Sequence, residues 1–177
     1  LRQTLCVALG MALPLIHLAG AGSPLPTLAD LLVDGVQLGE RFGASVATAG
    51  DVNGDGYSDI IVGMPEYDNR ANTDAGRVMV FQGSETGLSG TLAWTMSGTL
   101  ANARFGHSVS TAGDVNGDGY SDIIIGAPGH AGQGAVFVYH GSATGLQLTA
   151  ALTRLGVEAG SGFGTCVALA GDVNGDN

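Results

Sequence analysis

The sequence contains no lysine; its six basic residues are all arginine, against 16 acidic ones, for a net charge of −10. A protein that neutralises phosphates needs a basic surface, so this balance excludes nucleic acid as a partner. Cysteine is almost as scarce, with Cys6 and Cys166 alone. Cys6 lies in a stretch that reads as a removable secretion signal, which leaves Cys166 without a partner within this chain and excludes a disulfide framework; Cys166 is expected to serve as a small buried apolar side chain. Proline occurs five times and tryptophan once. What is abundant is glycine, 31 residues spread along the chain without a collagen-like triplet, beside 45% hydrophobic residues. That combination predicts a packed core built from short strands and many tight turns, an all-β chain.

A continuous apolar run long enough to span a membrane is also missing. Leu5 to Leu18 is the best candidate, but Pro14 and His17 interrupt it and it is too short. It follows Arg2 and leads into the small residues Ala19-Gly20-Ala21, so residues 1–21 read as a secretion signal. A buried strand or helix of a preceding domain is the alternative.

Self-comparison is the most informative step, because a fixed period of tens of residues exposes repeat architecture. Gly43 to Asp55 (GASVATAGDVNGD) recurs as Gly106 to Asp118 (GHSVSTAGDVNGD), and a third copy starts at Phe163-Gly164. The equivalent residues Asp51, Asp114 and Asp172 stand 63 and 58 residues apart. The five-residue difference lies in one loop, Glu66 to Ala75, whose shorter counterpart is Gly129 to Gln133. Length variation confined to one loop of a repeat marks a candidate binding face.

Each repeat reads as four strands, in the first copy near Ala44–Ala49, Asp59–Met64, Arg77–Gln82 and Leu92–Ser97. Ile60-Ile61-Val62, and again Ile123-Ile124-Ile125, are β-branched runs expected of a strand buried on both faces. Four antiparallel strands in about 60 residues, repeated in tandem, predict a β-propeller of four-stranded blades. The expected division is a leader at 22–41, a first blade at 42–104, a second at 105–162 and the truncated start of a third at 163–177. Gly35 precedes Phe42 by the interval that separates Gly98 from Phe105 and Gly156 from Phe163. Segment 28–34 therefore occupies the place of a fourth strand without its first three, and is expected to close a ring by pairing with the last blade. Two blades and a fragment cannot themselves close a ring, so the chain reads as an N-terminal fragment.

Between the first two strands of each repeat lies Asp51-Val52-Asn53-Gly54-Asp55-Gly56-Tyr57-Ser58-Asp59, and again Asp114-Val115-Asn116-Gly117-Asp118-Gly119-Tyr120-Ser121-Asp122. Ca²⁺ takes six to eight oxygens, and side chains at positions 1, 3 and 5 with a main-chain carbonyl at 7 can wrap it. That assigns Asp51, Asn53, Asp55, Tyr57 (by its carbonyl) and Asp59 to one site, and Asp114, Asn116, Asp118, Tyr120 and Asp122 to the next. The third copy retains Asp172, Asn174 and Asp176 and lacks the position-9 ligand. Two carboxylates about 5 Å apart repel by roughly 3 kcal/mol at an effective dielectric of 20, a term that a divalent cation reverses. Hairpin chemistry alone would account for Asn-Gly and Asp-Gly, but not for oxygens at alternate positions and a further Asp four residues on. Position 12 is Val62 or Ile125 within an apolar strand, which rules out an EF-hand or dockerin loop.

Phe42-Gly43 with Gly63-Met64-Pro65, and Phe105-Gly106 with Gly126-Ala127-Pro128, combined with the Asp loop, resemble the FG-GAP repeat of integrin α-chain propellers and of secreted bacterial propellers. Met64 departs mildly from the pattern. The resemblance covers residues 28–177 and implies a propeller with Ca²⁺ in loops on one face and ligands or partner subunits on the other. It implies a secreted or cell-surface protein, with an extracellular protein or glycan as ligand. The lack of cysteine pairs and of any N-glycosylation sequon points to a secreted bacterial relative rather than an animal integrin.

Nothing else in the sequence calls for catalysis. His107, His130 and His140 have no ligand spacing, and Ser84 and Ser142 lie in turns without a base to activate them. Trp94, Phe81, Phe137 and Tyr139 read as packing residues, and Arg41 and Arg104 as solvated or ion-paired. A Ca²⁺-stabilised propeller for extracellular adhesion or recognition is therefore the expected function. The alternative is the propeller domain of a secreted hydrolase or lyase whose active residues lie outside this sequence.

Overall fold

The computed structural model describes residues 4–7, 31–90 and 92–171. It contains ten strands: β1 (Thr4–Val7), β2 (Leu31–Asp34), β3 (Ser45–Gly50), β4 (Asp59–Met64), β5 (Arg77–Phe81), β6 (Leu92–Ser97), β7 (Ser108–Gly113), β8 (Asp122–Ala127), β9 (Ala135–Tyr139) and β10 (Leu152–Leu155). A short 3₁₀ turn covers His130–Gly132. Two four-stranded antiparallel meanders result, β3-β4-β5-β6 and β7-β8-β9-β10. The expected all-β chain of four-stranded blades is thus observed, and all four strands anticipated for the first blade form within one residue of their expected ends.

The second strand of each blade justifies its composition. β4 is buried along its whole length, and β8 at every residue but Ile124. Alternate side chains point to opposite faces of a strand, so a run without polar alternation must be covered on both sides. One side of β4 faces the second blade, in a core where Ile61, Val78, Val80 and Trp94 meet Phe105, Ile123, Ile125 and Tyr139. The other side carries Ile60, Val62, Met64, Met79 and Phe81 in a separate cluster with Phe42. Trp94 and Tyr139 meet edge to face at 5.1 Å, as do Phe105 and Phe137 at 5.3 Å, which confirms the packing role expected of these aromatics.

The two halves of the sequence signature meet across and within blades. The Gly43 N–H donates to the Gly63 carbonyl (3.2 Å), and the Gly106 N–H to that of Gly126 (3.1 Å). Between blades, the Ser45 hydroxyl donates to the Gly106 carbonyl (2.8 Å) and Ser108 repeats this to Gly164 (2.9 Å). A side chain on Gly63 would collide with the Gly106 carbonyl oxygen, so glycine is required where the backbones touch.

Cys166 corrects an expectation: it is exposed, not buried. It occupies the repeat position of Ser45 and Ser108, whose side chains are covered by the following blade. No described element covers Cys166 in that way.

β2 forms where a ring-closing strand was expected, but its partner here is β1, in antiparallel register from Thr4↔Asp34 to Val7↔Leu31. β1 lies inside the stretch read as a secretion signal. The remainder of that stretch, residues 28–30, and Asp172, Asn174 and Asp176 of the third loop lie outside the described residues.

Candidate metal centre

A bulge prepares each loop. The β3–β4 register shifts between Thr48 and Gly50, and the β7–β8 register between Thr111 and Gly113. Gly50 and Gly113 take φ of 75°, a conformation that glycine adopts without steric cost. The chain then turns into the loop with Asp51 or Asp114 leading.

In the first loop the Asp51 carboxylate gathers the loop's own amides. Its Oδ1 accepts from the N–H of Gly54 (2.7 Å) and of Asp55 (3.1 Å), and its Oδ2 from Gly56 (2.8 Å). Asn53 Oδ1 accepts from the Asp55 N–H (3.1 Å), and Asn53 Nδ2 donates to Asp55 Oδ2 (2.9 Å). Asp55 Oδ1 accepts from the Tyr57 N–H (2.9 Å). The second loop reproduces every contact: Asp114 with Gly117, Asp118 and Gly119, Asn116 with Asp118, and Asp118 with Tyr120. Positions 1, 3 and 5 are therefore brought together in both copies.

Position 9 does something different. Asp59 Oδ2 accepts from the Val52 N–H (3.1 Å) and Oδ1 from the Gly83 N–H (2.9 Å), tying the start of the loop to the end of β5. Asp122 ties Val115 to Gly141 in the same manner (both 2.9 Å). Both carboxylates are buried. Burial pushes the Asp59 carboxyl above its usual range; the Gly83 and Val52 amides oppose that rise and the nearby Asp55 and Asp51 carboxylates add to it. Asp114, at the solvent side, is held below the usual range, first by the Gly119 N–H and then by those of Asp118 and Gly117. The clamp role of position 9 was not evident from the sequence, although the recurrence of Gly83 and Gly141, each in a Gly-Ser pair after a strand that ends in an aromatic, was there to be read.

The donor set suits a hard cation in kind. Asp51 and Asp114 each accept three amide bonds and keep one of about four lone-pair sites, Asp55 and Asp118 each accept two and keep two, and main-chain carbonyls are at hand. A buried carboxylate is costly without a positive partner, and the one ion pair among the described residues, Arg41–Glu66 (3.2 Å), is remote from Asp59 and Asp122. Among the described residues, however, no three His, Cys, Asp or Glu side chains converge on a single point. A cation here would need Asn53 and Asn116 and main-chain oxygen besides the aspartates.

Two meanders stacked through their inner strands, each opening on an Asp-Asn-Asp loop, define a partial propeller of blades that each carry one such loop. Residues 42–81 and 105–139, one stretch in each sheet, match the FG-GAP repeat family. The chain is 43% identical over 124 residues to integrin alpha-PS2 of Drosophila melanogaster, covering 64% of this chain and 9% of that protein. It is 39% identical over 119 residues to integrin alpha-6 of Homo sapiens (67% of this chain, 10% of that protein), and 37% over 132 residues to integrin alpha-6 of Gallus gallus (75% and 12%). The repeats are thus homologous to those of integrin α chains, and the chain spans about a tenth of the length of these relatives. All three are animal proteins and lend no support to the bacterial source expected from the scarcity of cysteine. No helix among the described residues is long and apolar enough to cross a membrane.

Proposed function

We propose that the chain supplies the opening blades of an extracellular, Ca²⁺-stabilised β-propeller used in adhesion or recognition. The observation that carries this reading is the duplicated loop: two separate segments fold their Asp-Asn-Asp triplets into the same hydrogen-bonded ring, to within a tenth of an ångström in every contact. Asp51, Asn53, Asp55 and the Tyr57 carbonyl would hold one ion, with Asp59 beside them. Asp114, Asn116, Asp118 and the Tyr120 carbonyl would hold the second, with Asp122 beside them, and Asp172, Asn174 and Asp176 belong to a third loop. Bound Ca²⁺ would neutralise carboxylates that otherwise repel, and so staple the first two strands of each blade.

Isothermal titration with Ca²⁺ and thermal unfolding with and without chelator test this reading. Binding is expected at about 10⁻⁴–10⁻³ M, typical of extracellular modules, with a higher melting temperature in calcium. No calcium response, or an unchanged one in the Asp55→Ala, Asp118→Ala double variant, would refute the site.

Recognition of a protein or glycan falls to the opposite end of the sheet, where Glu66 to Ala75 joins β4 to β5. This loop is preorganised: Arg77 stacks on Tyr67 (3.6 Å), Glu66 pairs with Arg41, and Gln37 exchanges two bonds with Asp68 (3.0 Å each). Its tip presents Arg70 at φ 59°. β2 is assigned to ring closure: an isolated two-stranded ribbon is marginal in water, and removal of a secretion signal through residue 21 would take β1 away and free the β2 edge.

A further inference from the structure

The nine residues of each aspartate loop are the same in both copies, but the side chain that follows the third strand of the blade is not. After β5 the first blade continues with Gln82-Gly83, and after β9 the second continues with His140-Gly141. The position-9 clamp ties both pairs to their loops, Asp59 holding the Gly83 N–H and Asp122 that of Gly141, at 2.9 Å each. The main chain is anchored alike on its other side: the Gln82 carbonyl accepts from the Ser89 N–H (2.9 Å) and the His140 carbonyl from that of Gln147 (3.0 Å). Residues 82 and 140 therefore stand at equivalent backbone positions, and what differs is the side chain each sends out.

The imidazole reaches its loop. His140 Nδ1 lies 3.2 Å from Asn116 Nδ2, the amide at position 3. The neighbours decide which atoms carry hydrogen there. Asn116 Oδ1 accepts the Asp118 N–H (3.1 Å), so the opposite end of the amide is its NH₂ group, which can only donate. His140 Nδ1 is then the acceptor, with its lone pair facing the loop and the ring proton on Nε2. The same NH₂ group donates to Asp118 Oδ2 (2.9 Å). An imidazole nitrogen and a carboxylate oxygen thus converge on one group of partial positive charge. Gln82 has no counterpart to this: among the described residues its side chain bonds to nothing in the first loop.

Nitrogen and oxygen select different cations. Ca²⁺ is held by oxygen, whereas neutral imidazole together with carboxylate is a donor set for Zn²⁺ and its transition-metal neighbours. Building on the reading of the loops as cation sites, we propose that His140 gives the second loop a preference the first lacks: it takes a divalent transition-metal ion of the Zn²⁺ class. His140 Nδ1 and the Asp118 carboxylate are its protein ligands, in place of the Asn116 NH₂ group on which they now converge, and loop oxygens and water complete the shell.

Titration of the 177-residue chain with Co²⁺, whose visible absorption bands report nitrogen ligation, tests this beside a calorimetric titration with Ca²⁺. A Co²⁺ site that Zn²⁺ displaces is expected. Losing a direct ligand should cost no less than the about tenfold to hundredfold seen for an outer partner, so His140→Gln, which installs the residue of the first blade, should weaken Co²⁺ binding at least that much. Ca²⁺ binding should not be weakened by this change. Asp118→Ala should lose the Co²⁺ bands too, while a histidine collecting metal on its own would be indifferent to it; an unchanged far-UV circular dichroism spectrum checks the fold of both variants. Co²⁺ binding that is absent, or that survives either substitution, overturns the proposal and leaves His140 as a hydrogen-bond partner of Asn116. A chain that binds Co²⁺ through His140 but shows no heat with Ca²⁺ would support it and sink the calcium reading alone.

Discussion

The two aspartate loops share their sequence from Asp51 to Asp59 and from Asp114 to Asp122, and share their internal hydrogen bonds, yet they live in different surroundings. The first is capped by its neighbour: Gly54 lies against the Tyr120 ring, Asp51 is bonded to Ser121, and Val52 is buried. The second has open space around Gly117, and Val115 stands out in solvent. Local sequence thus sets the conformation of the loop, while burial is conferred by whichever blade comes next. The stability contributed by a given residue of the repeat should therefore depend on which copy it occupies.

The largest test of that contrast is Val52→Asp against Val115→Asp. An unpaired carboxylate in the inter-blade core should cost about 3 kcal/mol or more, whereas the exposed equivalent should fall within roughly 0.5 kcal/mol of the parent. Urea denaturation of the two variants measures both, and equal losses would break the comparison. Next, Asp59→Ala should cost about 2–4 kcal/mol, because the Val52 and Gly83 amides lose their acceptor in a buried place. Asp122→Ala orphans the buried Gly141 amide but, with it, only the part-buried amide of the exposed Val115, and should cost less. Ser121→Ala should lose about 1 kcal/mol with the Asp51 bond, and Ser58→Ala almost nothing, a difference that thermal unfolding can resolve.

The smallest effect concerns pH. Burial at the blade interface pushes the Tyr139 hydroxyl up to about 12. The folded state holds this proton more tightly than the unfolded chain, so the stability linked to it is complete below about pH 10 and declines between there and pH 12. Ultraviolet titration of phenolate absorbance, with Tyr139→Phe as the control, should show one tyrosine ionising late.

Much of this was legible in the sequence because it is local. The unbroken Ile60-Ile61-Val62 run announced a doubly covered strand, the 63- and 58-residue spacings announced the blades, and alternate oxygens announced the loop. What could not be read there depends on the neighbouring blade. Cys166 looked like a core residue because cysteine usually is one, but no described element covers it as the second blade covers Ser45. Val52 and Val115 are indistinguishable as letters. The clamp by Asp59 requires knowing that β4 and β5 bring residues 59 and 83 side by side. The pairing of β2 was likewise beyond local pattern, since any edge strand with free amides could accept it.

The bare backbone contact between Gly63 and Gly106 has a consequence for the whole assembly. The blades approach most closely along β3 and β7, their inner strands. Outward from there the spacing is held open by ring-bearing side chains where Trp94 of the first blade meets Tyr139 of the second. Each pair of blades is thus a wedge with a glycine apex and an aromatic base, and its angle is an angular pitch. The number of blades that complete a circle is the number of such pitches in a full turn. A single methyl group added at Gly63 would change that pitch, and a local substitution would then be read out as a misfit at the far side of the circle.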